Sequence, residues 1–163
     1  MKRAHGFTLI ELMVTLAIVA IVATVAVPAW SDFVRANRLA ATTNEFVTAV
    51  NYTRSEAVRR NTDVSLCPST DQTSCVGNST DWSVGWIAFV GDDPSSPGTV
   101  LRSWAGVDGT LDASGDQVIF EGEGTAAAAV TFDLQFDDCT DNGRRNISLA
   151  VIGRPTTEEA ACA

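Results

Sequence analysis

The chain has 163 residues, 20 acidic against 11 basic, and a net charge of −9, which becomes −11 when Lys2 and Arg3 are set aside. Beyond Arg60 sixteen acidic residues stand against four arginines, so this part repels nucleic acid as a whole and any such contact must be local. The one histidine is His5, which leaves no Ser-His-Asp or Cys-His nucleophilic set in the rest of the chain. No two carboxylates stand at a recognisable catalytic spacing, and a non-enzyme without cofactors is expected.

In chain order, the basic stretch Lys2-Arg3-Ala4-His5 comes first, then Gly6-Phe7-Thr8-Leu9-Ile10-Glu11, then an uncharged run from Leu12 to Val27. The apolar stretch from 7 to 27, at about 1.5 Å per helical residue, spans a bilayer core. A secretory signal has a shorter apolar run and a small-residue cleavage site. A plain single-pass anchor explains the length but not Glu11, since a carboxylate inside a membrane-length run is costly and usually functional. The basic start keeps Lys2 and Arg3 cytoplasmic, with the rest of the chain beyond the helix on the other side.

Glycine, phenylalanine, threonine and glutamate at this spacing resemble the class III signal of type IV pilins and type II secretion pseudopilins. The resemblance implies that a prepilin peptidase cuts between Gly6 and Phe7 and that Phe7 is N-methylated. It also implies that Glu11, the fifth residue of the mature chain, pairs with the Phe7 amine of a neighbour during assembly. Other pilins or pseudopilins and an inner-membrane assembly platform are the implied partners.

A single long helix is expected from Phe7 to about Arg60, apolar all round in its first half. Pro28 is expected to interrupt or kink it at the membrane edge, with Trp30 at interfacial level. From Leu39 the pattern turns amphipathic. Leu39, Thr43, Phe46, Val47, Val50, Ala57 and Val58 form a stripe at helical spacing that should pack on a sheet. Arg35, Arg38, Asn44, Glu45, Arg59 and Arg60 occupy the other face. Asn61-Thr62-Asp63 should end the helix.

The segment Arg54-Ser55-Glu56-Ala57-Val58-Arg59-Arg60-Asn61 resembles the helix end of the H-type pseudopilins and the FimT/FimU minor pilins. Val64-Ser65-Leu66-Cys67 alternates like a strand. The segments from Trp82 to Val90, from Leu101 to Trp104, from Val130 to Phe132 and from Ile147 to Val151 follow in the order of that family. The stretches from Gly91 to Gly98 and from Gly106 to Gly115 are rich in turn formers, and Gly122 to Ala129 reads as a loop or strand entrance. The expected architecture is α+β, a pilin-like fold with one long helix leaning on an antiparallel sheet. Its divisions are a leader at 1–6, a transmembrane or filament-core helix at 7–29, the amphipathic half at 30–61 and a periplasmic β-rich domain at 62–163.

Four cysteines on an oxidising side suggest disulfides. Cys67–Cys75 would close a short loop and Cys139–Cys162 would tie back the C-terminal segment. No Cys-x-x-Cys spacing exists and His5 is the only histidine, so the cysteines do not read as a zinc site. Asp137, Asp138 and Asp141 with Asn142 offer the oxygen ligands calcium takes. They lack the alternation of an EF-hand loop, and the better reading is an acidic, disulfide-flanked turn with no metal.

Two functions follow. The first is a structural subunit, a minor pilin or pseudopilin of an initiating or tip complex, in a type II secretion system or a type IV pilus. The second is a pilus-borne DNA receptor, since some FimT-type pilins bind DNA through a glycine–arginine–x–arginine motif. Here the motif stands as Gly153-Arg154-Pro155-Thr156, with threonine for the second arginine and Glu158 and Glu159 close behind. Arg144, Arg145 and Arg154 are the candidate DNA contacts, against a reading as sheet-edge salt bridges, and nucleic acid is not the expected partner.

Overall fold

The computed structural model describes residues 8–163. Its elements are α1 (Leu9–Arg60), β1 (Val64–Pro68), β2 (Gly85–Val90), β3 (Val100–Ala105), β4 (Thr110–Ala113), β5 (Val118–Phe120), β6 (Val130–Gln135), β7 (Arg144–Leu149) and β8 (Pro155–Ala160). The chain forms two compact units, one reaching to Asn37 and one from Arg38 to Ala163.

α1 is 52 residues long and contains no glycine. Its assignment runs through position 28 without a break; a proline removes one backbone hydrogen bond, and the turns on either side stay helical. The helix ends in a Schellman motif. Asn61 takes a left-handed φ of 51°, its N–H donates to the Val58 carbonyl, and the Thr62 N–H donates to the Ala57 carbonyl. Asparagine tolerates this conformation, so the last helical carbonyls are satisfied. Arg59 and Arg60 in the last turn suit the negative end of the helix dipole.

In the compact unit from Arg38 onward, the expected single sheet is two four-stranded sheets. Their orders are β3-β2-β1-β5 and β4-β6-β7-β8, with every pairing antiparallel. The expected strand from Trp82 to Val90 starts only at Gly85. Trp82 lies beside β4 instead, its N–H donating to the Leu111 carbonyl at 2.7 Å. Ser83 and Val84 then turn the chain, and Gly85 enters β2 with φ 108°. A side chain there would come within 2.9 Å of the Trp104 carbonyl, so glycine is required for the turn. One tryptophan-bearing segment thus edges the second sheet before joining the first. β4 falls in a stretch expected to be turns, and β8 was not expected. β8 is a mostly exposed edge strand, without the apolar alternation that announces a strand.

α1 buries Leu39, Thr43, Phe46, Ala49, Val50, Thr53 and Ala57 against the sheets. Val47 is half-buried and Val58 exposed, so the stripe is narrower at its end than its spacing suggests. Phe46 stands where the two sheets meet. Its ring centroid is 5.2 Å from that of Trp86 on β2, 4.6 Å from Phe132 on β6 and 5.9 Å from Trp82, all edge-on. Edge-to-face pairs of this kind add about 0.5–1.5 kcal/mol beyond area burial. A second, smaller cluster of Cys67, Ile87 and Phe89, with Cys75 and Val100 against it, covers the opposite face of the first sheet.

Candidate functional site

Gly6 and Phe7 lie outside the described residues. Glu11 sits in the first turn of α1, where it forms a capping box with Thr8. The Thr8 N–H donates to Glu11 Oε2 at 3.0 Å, the Thr8 hydroxyl donates to the same oxygen at 2.9 Å, and the Glu11 N–H donates to the Thr8 hydroxyl oxygen at 3.3 Å. Thr-x-x-Glu ahead of an apolar run is the sequence signature of this motif. It was legible in Thr8-Leu9-Ile10-Glu11 and was missed because the glutamate was read only for its charge.

From Leu12 to Val27 the large apolar side chains are exposed on every side of the helix. Among the described residues α1 is the one helix long and apolar enough to cross a membrane. The hydroxyls within this stretch are satisfied by their own helix: Thr15 donates to the Leu12 carbonyl at 2.9 Å and Thr24 to the Ile21 carbonyl at 2.7 Å. Such back-bonding leaves no bare donor facing apolar surroundings.

Cys67 is bonded to Cys75 and Cys139 to Cys162. The first pair holds the loop after β1 over the Ile87–Phe89 cluster. Asp71 organises that loop. Its carboxylate accepts from the Ser74 hydroxyl at 2.7 Å and from the Thr73 and Ser74 N–H groups at 2.9 and 2.8 Å. The Ser74 hydroxyl first, then these backbone donors, hold the Asp71 carboxyl well below the usual carboxylate range. The second pair joins the β6–β7 connection to the chain after β8, where the Cys162 N–H also donates to the Asp141 carbonyl at 3.1 Å. Asp137, Asp138, Asp141 and Asn142 lie in that connection. Among the described residues no group of three or more metal-ligating side chains converges.

The candidate arginines do not share a patch. β7 and β8 pair with Arg144 opposite Ala160 at one end and Leu149 opposite Pro155 at the other. Five residue steps at about 3.4 Å each put Arg154, in the turn, roughly 17 Å from Arg144. Arg144 Nε lies 3.1 Å from Asp133 Oδ1, and Arg145 lies 2.8 Å from Glu159 Oε1. These are sheet-edge salt bridges. Arg154 is exposed and meets no carboxylate among the described residues. Its neighbour Gly153 is buried, with φ 76°, against the Gly124 carbonyl and the Arg54 side chain. Arg54 Nε donates to that same carbonyl at 2.7 Å. Sequence spacing gives no sign of the Arg54–Gly124–Gly153 contact, because three distant segments make it.

The family model for "Type II transport protein GspH" matches residues 42–153, and that for the "Prokaryotic N-terminal methylation motif" matches residues 1–27. The fold is similar to the type IV minor pilin FimU of Pseudomonas aeruginosa (strain PAO1) in two crystal forms. One superposes with a TM-score of 0.63 at 22% identity, covering 80% of this chain and 99% of that one. The other gives 0.60 at 22% identity, with 76% and 98% covered. By the match over its globular part, and with the fold of a pilin, the chain belongs to the GspH family and is a minor pilin or pseudopilin.

Proposed function

We propose that this chain is a non-enzymatic structural subunit of a type II secretion pseudopilus or a type IV pilus, and that it joins the initiating or tip complex. A prepilin peptidase removes residues 1–6 and Phe7 is methylated. The apolar half of α1 holds the protein in the inner membrane until an assembly platform passes it into a filament, with the β-rich part on the periplasmic side. Glu11 registers it against the Phe7 amine of another subunit. The observation that carries this reading is the coincidence of the methylation motif at residues 1–27 with an apolar helical stretch bearing one carboxylate in its first turn. Mass spectrometry of the membrane-extracted protein tests it, with a mature N-terminus at methylated Phe7 as the expected result. A different N-terminus, or cleavage that persists in Gly6→Val, refutes it.

A DNA receptor is the second reading, favoured by exposed Arg154 without a carboxylate partner. Arg144 and Arg145 are already neutralised by Asp133 and Glu159, and one or two phosphate contacts give weak binding that fades with salt. The full chain in detergent should show no useful affinity for duplex DNA near physiological salt. Micromolar binding lost in Arg154→Ala would reverse the order of the two readings.

A further inference from the structure

We propose that the corner where the end of α1 meets the β7–β8 turn docks an acidic segment, carrying at least one apolar side chain, of a different pilin-like subunit; this rests on the assembly reading above. Four large apolar side chains are exposed in the unit from Arg38 onward, and three of them gather here: Val58 at 52%, Val151 at 52% and Ile152 at 64%. They are drawn together by the backbone. The Ala126 N–H donates to the Val151 carbonyl at 2.8 Å, and Gly124 lies so close to Val58 that an added Cβ would stand 2.8 Å from its Cγ2. A shallow groove of about 370 Å³, lined by Val58 with Asn51, Arg54, Ser55 and Arg59, continues the surface along the helix.

Charge selects the partner. Elsewhere in this acidic unit the arginines are matched: Arg38 to Asp108, Arg144 to Asp133 and Arg145 to Glu159. Arg102 lies over the rings of Tyr52 and Trp104, and Arg59 and Arg60 share Glu56. Arg54 and Arg154 meet no carboxylate among the described residues, and both belong to this corner. An added Cβ at Gly153, next to Arg154, would lie 3.0 Å from Arg54 Nε.

Two uncompensated cations around an apolar centre suit a protein interface, where arginine is enriched and the buried core is apolar. A phosphate backbone gains nothing from Val58, Val151 or Ile152, and two cations give it little hold. The patch is small, so its contact is weak alone. It becomes effective when membrane anchoring has already raised the local concentration of both partners.

The test uses the full chain in cells with an assembled machine, with photoreactive benzoylphenylalanine at Ile152, at Val14 in the apolar helix, and at Thr131 on the opposite, polar side of the second sheet. Illumination should link Ile152, but not Thr131, to a different pilin-like subunit, and peptide mapping should place the link in a segment containing Asp or Glu. Adding Arg154→Glu should cut the Ile152 yield about tenfold, the effect of roughly one strong contact, and leave the Val14 yield and both disulfides unchanged. Links at Val14 but none at Ile152 overturn the docking surface and leave the assembly reading standing. Links at neither position refute both. An Ile152 link to nucleic acid, to a second copy of this chain or to a segment without acidic residues overturns the proposal, as does an Ile152 yield indifferent to Arg154→Glu.

Discussion

Glu11 and Thr8 satisfy each other's polar groups at the start of α1, with the Thr8 N–H and hydroxyl both on Glu11 Oε2. This contact separates two contributions of one carboxylate. Glu11→Ala removes both the cap and the charge. Glu11→Gln keeps a side chain that can serve in a capping box but removes the charge. If the charge recruits a neighbour, both variants insert normally and both lose co-purification of partner pilins or pseudopilins. A Gln variant that assembles like wild type beside a failing Ala variant would assign the role to the cap, and normal assembly in both would leave Glu11 with no role in recruitment.

Gly153→Ala should destabilise the globular unit. The position has φ 76°, a left-handed conformation that costs a non-glycine residue about 1–2 kcal/mol. An added Cβ would also overlap the Gly124 carbonyl. For a chain of this size the loss corresponds to a Tm lower by about 2–8 °C. Gly77→Ala is the control, with nothing within 4 Å of its added Cβ, and should change stability by less than about 0.5 kcal/mol. Thermal unfolding followed by circular dichroism reads the difference, and equal melting of the two variants would refute the packing role of Gly153.

The two disulfides close loops of different length, with sequence separations of 8 and 23. Loop-closure entropy then gives stabilisations of about 2.5 and about 3.4 kcal/mol. Non-reducing peptide mapping should link Cys67 to Cys75 and Cys139 to Cys162. The Cys139→Ser/Cys162→Ser protein should melt below the Cys67→Ser/Cys75→Ser protein. The reverse order would show that covering the Ile87–Phe89 cluster outweighs chain entropy.

Asp71 gives the Cys67–Cys75 loop an acid-sensitive contribution. Its pKa is depressed in the folded chain, chiefly by the Ser74 hydroxyl. Its stabilisation is therefore fully present above the unfolded value of about 3.9 and is lost as pH falls below that value toward the folded one. The Tm difference between wild type and Asp71→Asn should be constant from pH 7 to about pH 5 and shrink at lower pH. A difference that does not change down to pH 3 would contradict this assignment.

The sequence by itself determined the parts of this protein whose signals are local. The apolar run, the Gly6–Phe7 and Glu11 motif, the length of α1 and its stop at Asn61 depend on neighbours within a few turns, and so they are readable along the chain. The buried stripe through Leu39, Phe46, Val50 and Ala57 is equally a matter of helical period. Tertiary structure decided the rest. Trp82 and Trp86 read as one strand, yet Trp82 lies beside β4 and Trp86 is on β2, because the Ser83–Val84 turn lets one segment serve two sheets around Phe46. β8 carries no apolar alternation because an exposed edge strand buries almost nothing. Arg144, Arg145 and Arg154 are near in sequence, but antiparallel pairing sends them to opposite ends of a hairpin. Arg54, Val58, Gly124 and Gly153 are far apart in sequence and meet only because packing the helix end against two turns brings three distant segments into contact.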